Sequence, residues 1–127
     1  MKTEKVKKVF SNLVVILSIA VLGSLLFTGV TTGRPNVFGY RVFYIMSESM
    51  EPTIMTGQLA VAHKIDAEEV EVGDIVAYDR GDIIIIHRVT DIDESETGRV
   101  FTFQGDNNDF ADEPVTAEQI MYEIVVY

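Results

Sequence analysis

The apolar residues of this chain fall into two regimes. From Val9 to Val30 they form one block: 22 residues pass without a charge, and the uncharged stretch runs on to Gly33. As a helix at 1.5 Å per residue, that block would reach ~33 Å, matching a hydrocarbon core of ~30 Å. A helix also satisfies its own backbone polar groups, which a bilayer interior demands. Cleavable secretory signals have apolar cores of about 7–15 residues and a small-x-small exit. Here the core is longer, and Val30-Thr31-Thr32-Gly33-Arg34 offers no Ala-x-Ala. The block predicts an uncleaved transmembrane anchor.

Beyond a short polar linker, Thr31–Asn36, the pattern changes to short β-rich runs broken by Gly, Asp and Asn. Strands are predicted at Gly39–Met46, Gln58–His63, Ile75–Tyr78, Ile83–Val89, Arg99–Gln104 and Ile120–Val126. A helical turn is compatible with Asp66–Val70. The run Ile83-Ile84-Ile85-Ile86 predicts a strand buried on both faces. Such spacing suits a small β-barrel or sandwich. The expected fold is therefore an all-β domain with one N-terminal transmembrane α-helix. Its expected divisions are a basic head (1–8), the anchor (9–30), a linker (31–37) and a β-rich domain (38–127).

Charge follows the same divisions. Residues 1–8 hold four Lys and one Glu, a local +3, while Arg34–Tyr127 holds six basic and nineteen acidic residues, a local −13. Lys-rich flanks stay cytoplasmic, so the acidic domain is expected on the far side of the lipid bilayer. An acidic domain also argues against nucleic acid as a partner, since phosphate binding needs clustered Lys and Arg. The chain has no cysteine, which removes disulfides, thiol nucleophiles and Cys-ligated metals from consideration.

Three separated segments carry candidate chemistry. Ser47-Glu48-Ser49-Met50-Glu51-Pro52-Thr53 follows the first predicted strand. Two serines at i and i+2 can leave a strand side by side, one to attack and one to donate to a developing oxyanion. Pro52 restricts its predecessor and stiffens the loop. Ile86-His87-Arg88-Val89 ends the Ile-rich run, and His87 is one of only two histidines; an imidazole titrates near 6.5 and suits a general base. The other, His63, reads as structural. Gly105-Asp106-Asn107-Asn108-Asp109-Phe110-Ala111-Asp112 is strong turn chemistry, and it lacks the 12-residue spacing and closing Glu of an EF-hand. No metal or cofactor is expected. A carboxylate here can instead take the second imidazole N–H and fix the ring. Taken singly, each segment is also compatible with a plain loop or strand end.

In this order behind an anchor, the three segments resemble the type I signal peptidases, in the branch with a Ser-Gly-Ser-Met-Glu-Pro box, a His-Arg-Val box and a Gly-Asp-Asn-Asn-x-x-x-Asp box. Val72-Gly73-Asp74-Ile75-Val76 is similar to that family's Gly-Asp strand entry. The resemblance implies Ser49 as nucleophile, His87 as general base, Asp112 as orienting acid and Ser47 as oxyanion donor; Asp106 would shape the loop or share the acid role. It implies hydrolysis of secretory preproteins after small residues, with no cofactor, and leaves room for accessory subunits. One departure stands out: Glu48 occupies the family's Gly position, so either the turn uses negative φ or the loop is shifted. Phe38, Tyr40, Phe43, Tyr44 and Met50 are candidates for a substrate groove or lipid contact, with ordinary β-core the simpler reading for each. A repressor-type Ser–Lys peptidase would have only Lys64 available in the domain. A catalytically silent, membrane-anchored adaptor or matrix-assembly factor is the alternative outside enzymes.

Overall fold

The computed structural model describes residues 2–32, 38–96 and 98–127. It divides into two units, residues 1–39 and 40–127. Residues 33–37 of the expected linker lie outside the described residues.

The first unit is one helix, α1 (Lys2–Thr32). It takes in the basic head as well as the apolar block, and its stretch Glu4–Ser24 is long and apolar enough to cross a membrane. Phe10, Leu13, Ile16, Leu17, Ile19 and Leu22 all lie exposed. Their positions cover every side of the helix rather than one stripe, as in a segment solvated by lipid.

The second unit is a single antiparallel sheet of seven strands: β1 (Tyr40–Tyr44), β2 (Leu59–Lys64), β3 (Ile75–Asp79), β4 (Ile84–Ser95), β5 (Gly98–Gln104), β6 (Val115–Thr116) and β7 (Ile120–Val126). Their order across the sheet is β1-β2-β7-β3-β4-β5-β6. The all-β expectation holds. Six of the strands coincide with predicted ones; β6 is too short to leave a pattern, and β4 runs to Ser95, well past its predicted end. The expected helical turn is a 3₁₀ turn over Ala67–Glu69.

The double-sided strand is β3, not the isoleucine run. Side chains alternate along a strand, and β3 divides its residues between two cores: Ile75 and Ala77 enter one with Met50, Ile54 and Ile124, while Val76 and Tyr78 enter the other with Val89, Phe101, Phe103 and Val115. Ile83 is exposed and Ile84–Ile86 are only half-buried. The physical reason is position. The β3–β4 hairpin turns at Arg80–Ile83, closed by the Arg80 N–H on the Ile83 carbonyl at 2.9 Å, so the run begins at the sheet's end, where little covers it. Gly81 takes φ 81° in that turn, a conformation open to glycine at no steric cost. Full burial of Tyr78, Phe101 and Phe103 stabilises the second core by roughly 2–3 kcal/mol per ring. That core carries the site.

Candidate active site

The loop after β1 is pinned on both sides of its serines. Met50 and Ile54 are buried in the first core, and the loop closes on itself through the Gly57 N–H to the Ile45 carbonyl (2.8 Å) and the Ile45 N–H to the Gln58 carbonyl (3.0 Å). Glu51 accepts from the Thr56 N–H (3.1 Å) and hydroxyl (2.9 Å), and the Glu51–Pro52 peptide is cis. Ser49 thus stands one residue from a core anchor. Among the described residues, Phe38 is the one non-glycine with positive φ. Glu48 therefore sits at negative φ: its Cβ is accommodated without left-handed strain, which answers the question raised by its replacing the family's glycine.

His87 lies on β4 opposite Val76 of β3, facing the second core, and is buried. Its Nε2 is 3.0 Å from Ser49 Oγ and its Nδ1 is 2.5 Å from Asp112 Oδ2. A carboxylate at Nδ1 assigns the ring proton there and leaves Nε2 free to accept the serine proton. Ser47 Oγ is 3.2 Å from Ser49 Oγ. The Asp112 N–H donates to the Phe103 carbonyl at 2.7 Å, and the Tyr78 hydroxyl donates to Asp112 Oδ2 at 2.7 Å. Burial, then the bond to Asp112 and its charge, raise the Tyr78 pKa, so this hydroxyl keeps its proton.

The third segment stitches the other two together. Gly105 has no room for a side chain: an added Cβ would lie 2.5 Å from the Ser49 carbonyl oxygen and 2.9 Å from Asn108 Nδ2. The Asn107 N–H donates to the Ser49 carbonyl at 2.9 Å and its Nδ2 to the Glu48 carbonyl at 3.1 Å. Asp106 accepts from Arg88 Nε (2.9 Å) and Nη2 (2.7 Å) and from the Thr53 hydroxyl. Arg88 Nη1 reaches the Gly73 carbonyl at 2.8 Å. The Arg88 bonds foremost, then Thr53, hold the Asp106 carboxyl below the usual carboxylate range against the opposing effect of burial. Paired with Asp106, Arg88 is in turn held more firmly protonated.

Ser47, Ser49, His87 and Asp112 are thus contiguous. Asp106 is tied to Arg88 and Thr53 rather than to the imidazole nitrogens, a loop-shaping position. His63 stays apart, its ring 4.6 Å from that of Tyr40, and Lys64 is exposed on β2. Of the groove candidates, Met50 is buried core and Phe43 half-buried against it, whereas Phe38, Tyr40 and Tyr44 are exposed. Sequence reasoning missed Tyr78, Thr53 and Asn107. For Tyr78 a signal existed: a tyrosine in an apolar strand needs a partner for its hydroxyl. Gly105 opens the expected turn, its carbonyl accepting the Asn108 N–H at 2.9 Å; its close approach to the Ser49 carbonyl is an additional cause that the sequence does not show.

The antiparallel β unit thus holds a serine, an imidazole and a carboxylate in one hydrogen-bonded line, an arrangement known from serine peptidases. Comparison with known proteins agrees: the Peptidase S24-like family model matches residues 30–126, and the chain belongs to that family. It is also signal-peptidase-like, being similar to Signal peptidase I W of Bacillus subtilis (strain 168), with 33% identity over 112 residues covering 86% of this chain and 57% of that protein. The chain thus spans less than two thirds of that relative's length. No solved structure matches.

Proposed function

We propose that this chain is a membrane-anchored serine endopeptidase that removes signal peptides from secretory preproteins, cutting after small residues. The observation that carries the reading is the continuous line from Ser49 Oγ through the His87 ring to Asp112, at 3.0 and 2.5 Å. His87 Nε2 takes the Ser49 proton as Oγ attacks the carbonyl before the scissile bond. The resulting oxyanion is held by the Ser47 hydroxyl and the Ser49 backbone N–H. His87 then protonates the leaving amine, and in a second half-reaction activates the water that releases the acyl group. Asp112 keeps the ring in its working tautomer and stabilises the imidazolium. Asp106 serves the geometry of the site through Arg88 and Thr53.

The anchor supports the choice of substrate. With the basic head cytoplasmic and the β unit on the far side, about eighteen residues separate Val30 from Ser49 and span ~60 Å at most. On this reading the enzyme shares the membrane in which signal peptides are embedded. The test is a precursor with an Ala-x-Ala site, incubated with membranes holding the wild-type or Ser49→Ala protein. The expected result is a single cut after the second Ala, slowed by at least ~10³ in the variant. Equal rates would refute the assignment and favour a catalytically silent domain.

A further inference from the structure

We infer that Tyr78 is a positioning residue of the proposed triad: its hydroxyl holds the Asp112 carboxylate in the rotation that serves His87 and sets how strongly that carboxylate grips the imidazolium. The inference rests on the proposed function and goes beyond it, adding a residue outside the three motif segments.

Both bonds end on one oxygen. Asp112 Oδ2 receives His87 Nδ1 at 2.5 Å and the Tyr78 hydroxyl at 2.7 Å. Asp112 sits in the irregular stretch between β5 and β6, and a single donor leaves a loop carboxylate free to turn about its χ2. A second donor removes that freedom. The donor is itself immobile. Tyr78 is fully buried, and its ring stacks on Phe103 with centroids 4.4 Å apart and 25° between planes. The Phe103 carbonyl in turn receives the Asp112 N–H at 2.7 Å. Tyrosine and aspartate are therefore fastened to the same residue, one by its ring and one by its backbone. The end of β3 adds a further hold through Arg80, whose Nη2 donates to the Glu113 carbonyl at 2.7 Å.

Packing does not ask for this hydroxyl. The cluster around it consists of Val70, Val76, Val89, Phe101, Phe103 and Val115, where phenylalanine fills the same space with no polar atom to satisfy. The hydroxyl's hydrogen bond goes to Asp112, with the Arg80 guanidinium also near it. Two donors thus share the one carboxylate oxygen that faces the His87 ring. The other charged or titratable groups about the ring are Asp106 and Asp112 from the stretch after β5, Ser49 from the loop after β1, and Arg88 beside it on β4.

The experiment compares wild type with Tyr78→Phe in detergent micelles. With only two histidines in the chain, the imidazole N–H resonances of labelled wild type and His63→Gln identify the His87 Nδ1 proton. In Tyr78→Phe that resonance is expected to shift, with His63 unmoved. In precursor cleavage kcat falls about ten-fold with KM within about two-fold, the effect of losing one hydrogen bond to a charged group. An unshifted His87 resonance, or a wild-type kcat, overturns the inference. Should Tyr78→Phe fail to fold, wild type grown with a more acidic fluorinated tyrosine decides: the stronger donor shifts the His87 resonance, and no shift refutes the assignment. Failure of the proposed function is a separate outcome, seen as wild type and Ser49→Ala cleaving alike while the His87 resonance still responds to Tyr78.

Discussion

Gly105→Ala is the substitution whose consequence follows most directly from the coordinates. The new methyl would lie 2.5 Å from the Ser49 carbonyl oxygen and 2.9–3.0 Å from the Asn108 amide group. The amide group can rotate away; the carbonyl belongs to the backbone of the proposed nucleophile and cannot. Ordinary carbon–oxygen contact needs the two segments to separate by somewhat under 1 Å. The Asn107 bond to the same carbonyl, 2.9 Å long, lengthens with them. A misplacement of about 1 Å costs on the order of 10²-fold in rate, and overpacking costs about 1–3 kcal/mol in stability. Precursor cleavage and thermal unfolding, read together, separate the two effects. Gly81→Ala supplies the control: φ is +81° with nothing within 4 Å of the added carbon, so it loses ~1 kcal/mol of stability and keeps its kcat. Gly105→Ala cleaving within about two-fold of wild type would falsify the idea that this close approach sets the nucleophile's position.

Further outcomes follow from the same geometry. Ser47→Ala, which deletes the proposed oxyanion donor, lowers kcat by about 10²-fold with little change in KM, measured under saturating precursor. Arg88→Lys loses the two-point fork on Asp106 and the reach to the Gly73 carbonyl; melting curves show a destabilisation of about 1–2 kcal/mol. The depressed Asp106 carboxyl contributes stability that is present above its unfolded value near pH ~4 and is lost as pH falls through its folded value. Asp106→Asn accordingly lowers Tm at neutral pH and flattens its decline in acid, as scanning calorimetry between pH ~2 and 7 detects.

The chain announces some of this on its face. The charge-free block from Val9 needs no tertiary partner to be legible, since length and composition decide whether a helix suits lipid. The strands show through alternation and turn residues, which are local properties. Which strand lies at the centre is not local: four isoleucines look more deeply buried than Ile75–Tyr78, yet β3 has β7 and β4 on either side and a core on each face, while the run at Ile83 starts at a hairpin tip. The site divides the same way. Its motif residues are readable as boxes because chemistry restricts which types stand there. The fastenings between boxes are not, for they join residues far apart: Thr53 to Asp106, Tyr78 to Asp112, Asn107 to Glu48. Gly105 shows how one residue type hides two causes, since a glycine needed for close approach and one needed for positive φ look alike in sequence.

The account depends on the imidazole of His87 acting on the side chain at position 49, and the absence of cysteine makes that directly measurable. Ser49→Cys introduces the chain's sole thiol, whose alkylation rate against pH gives its ionisation. Beside an intact His87 the thiol is expected to ionise well below its ordinary value of about 8.5, and in Ser49→Cys combined with His87→Ala to return to it. The same alkylation profile in both proteins would contradict the account.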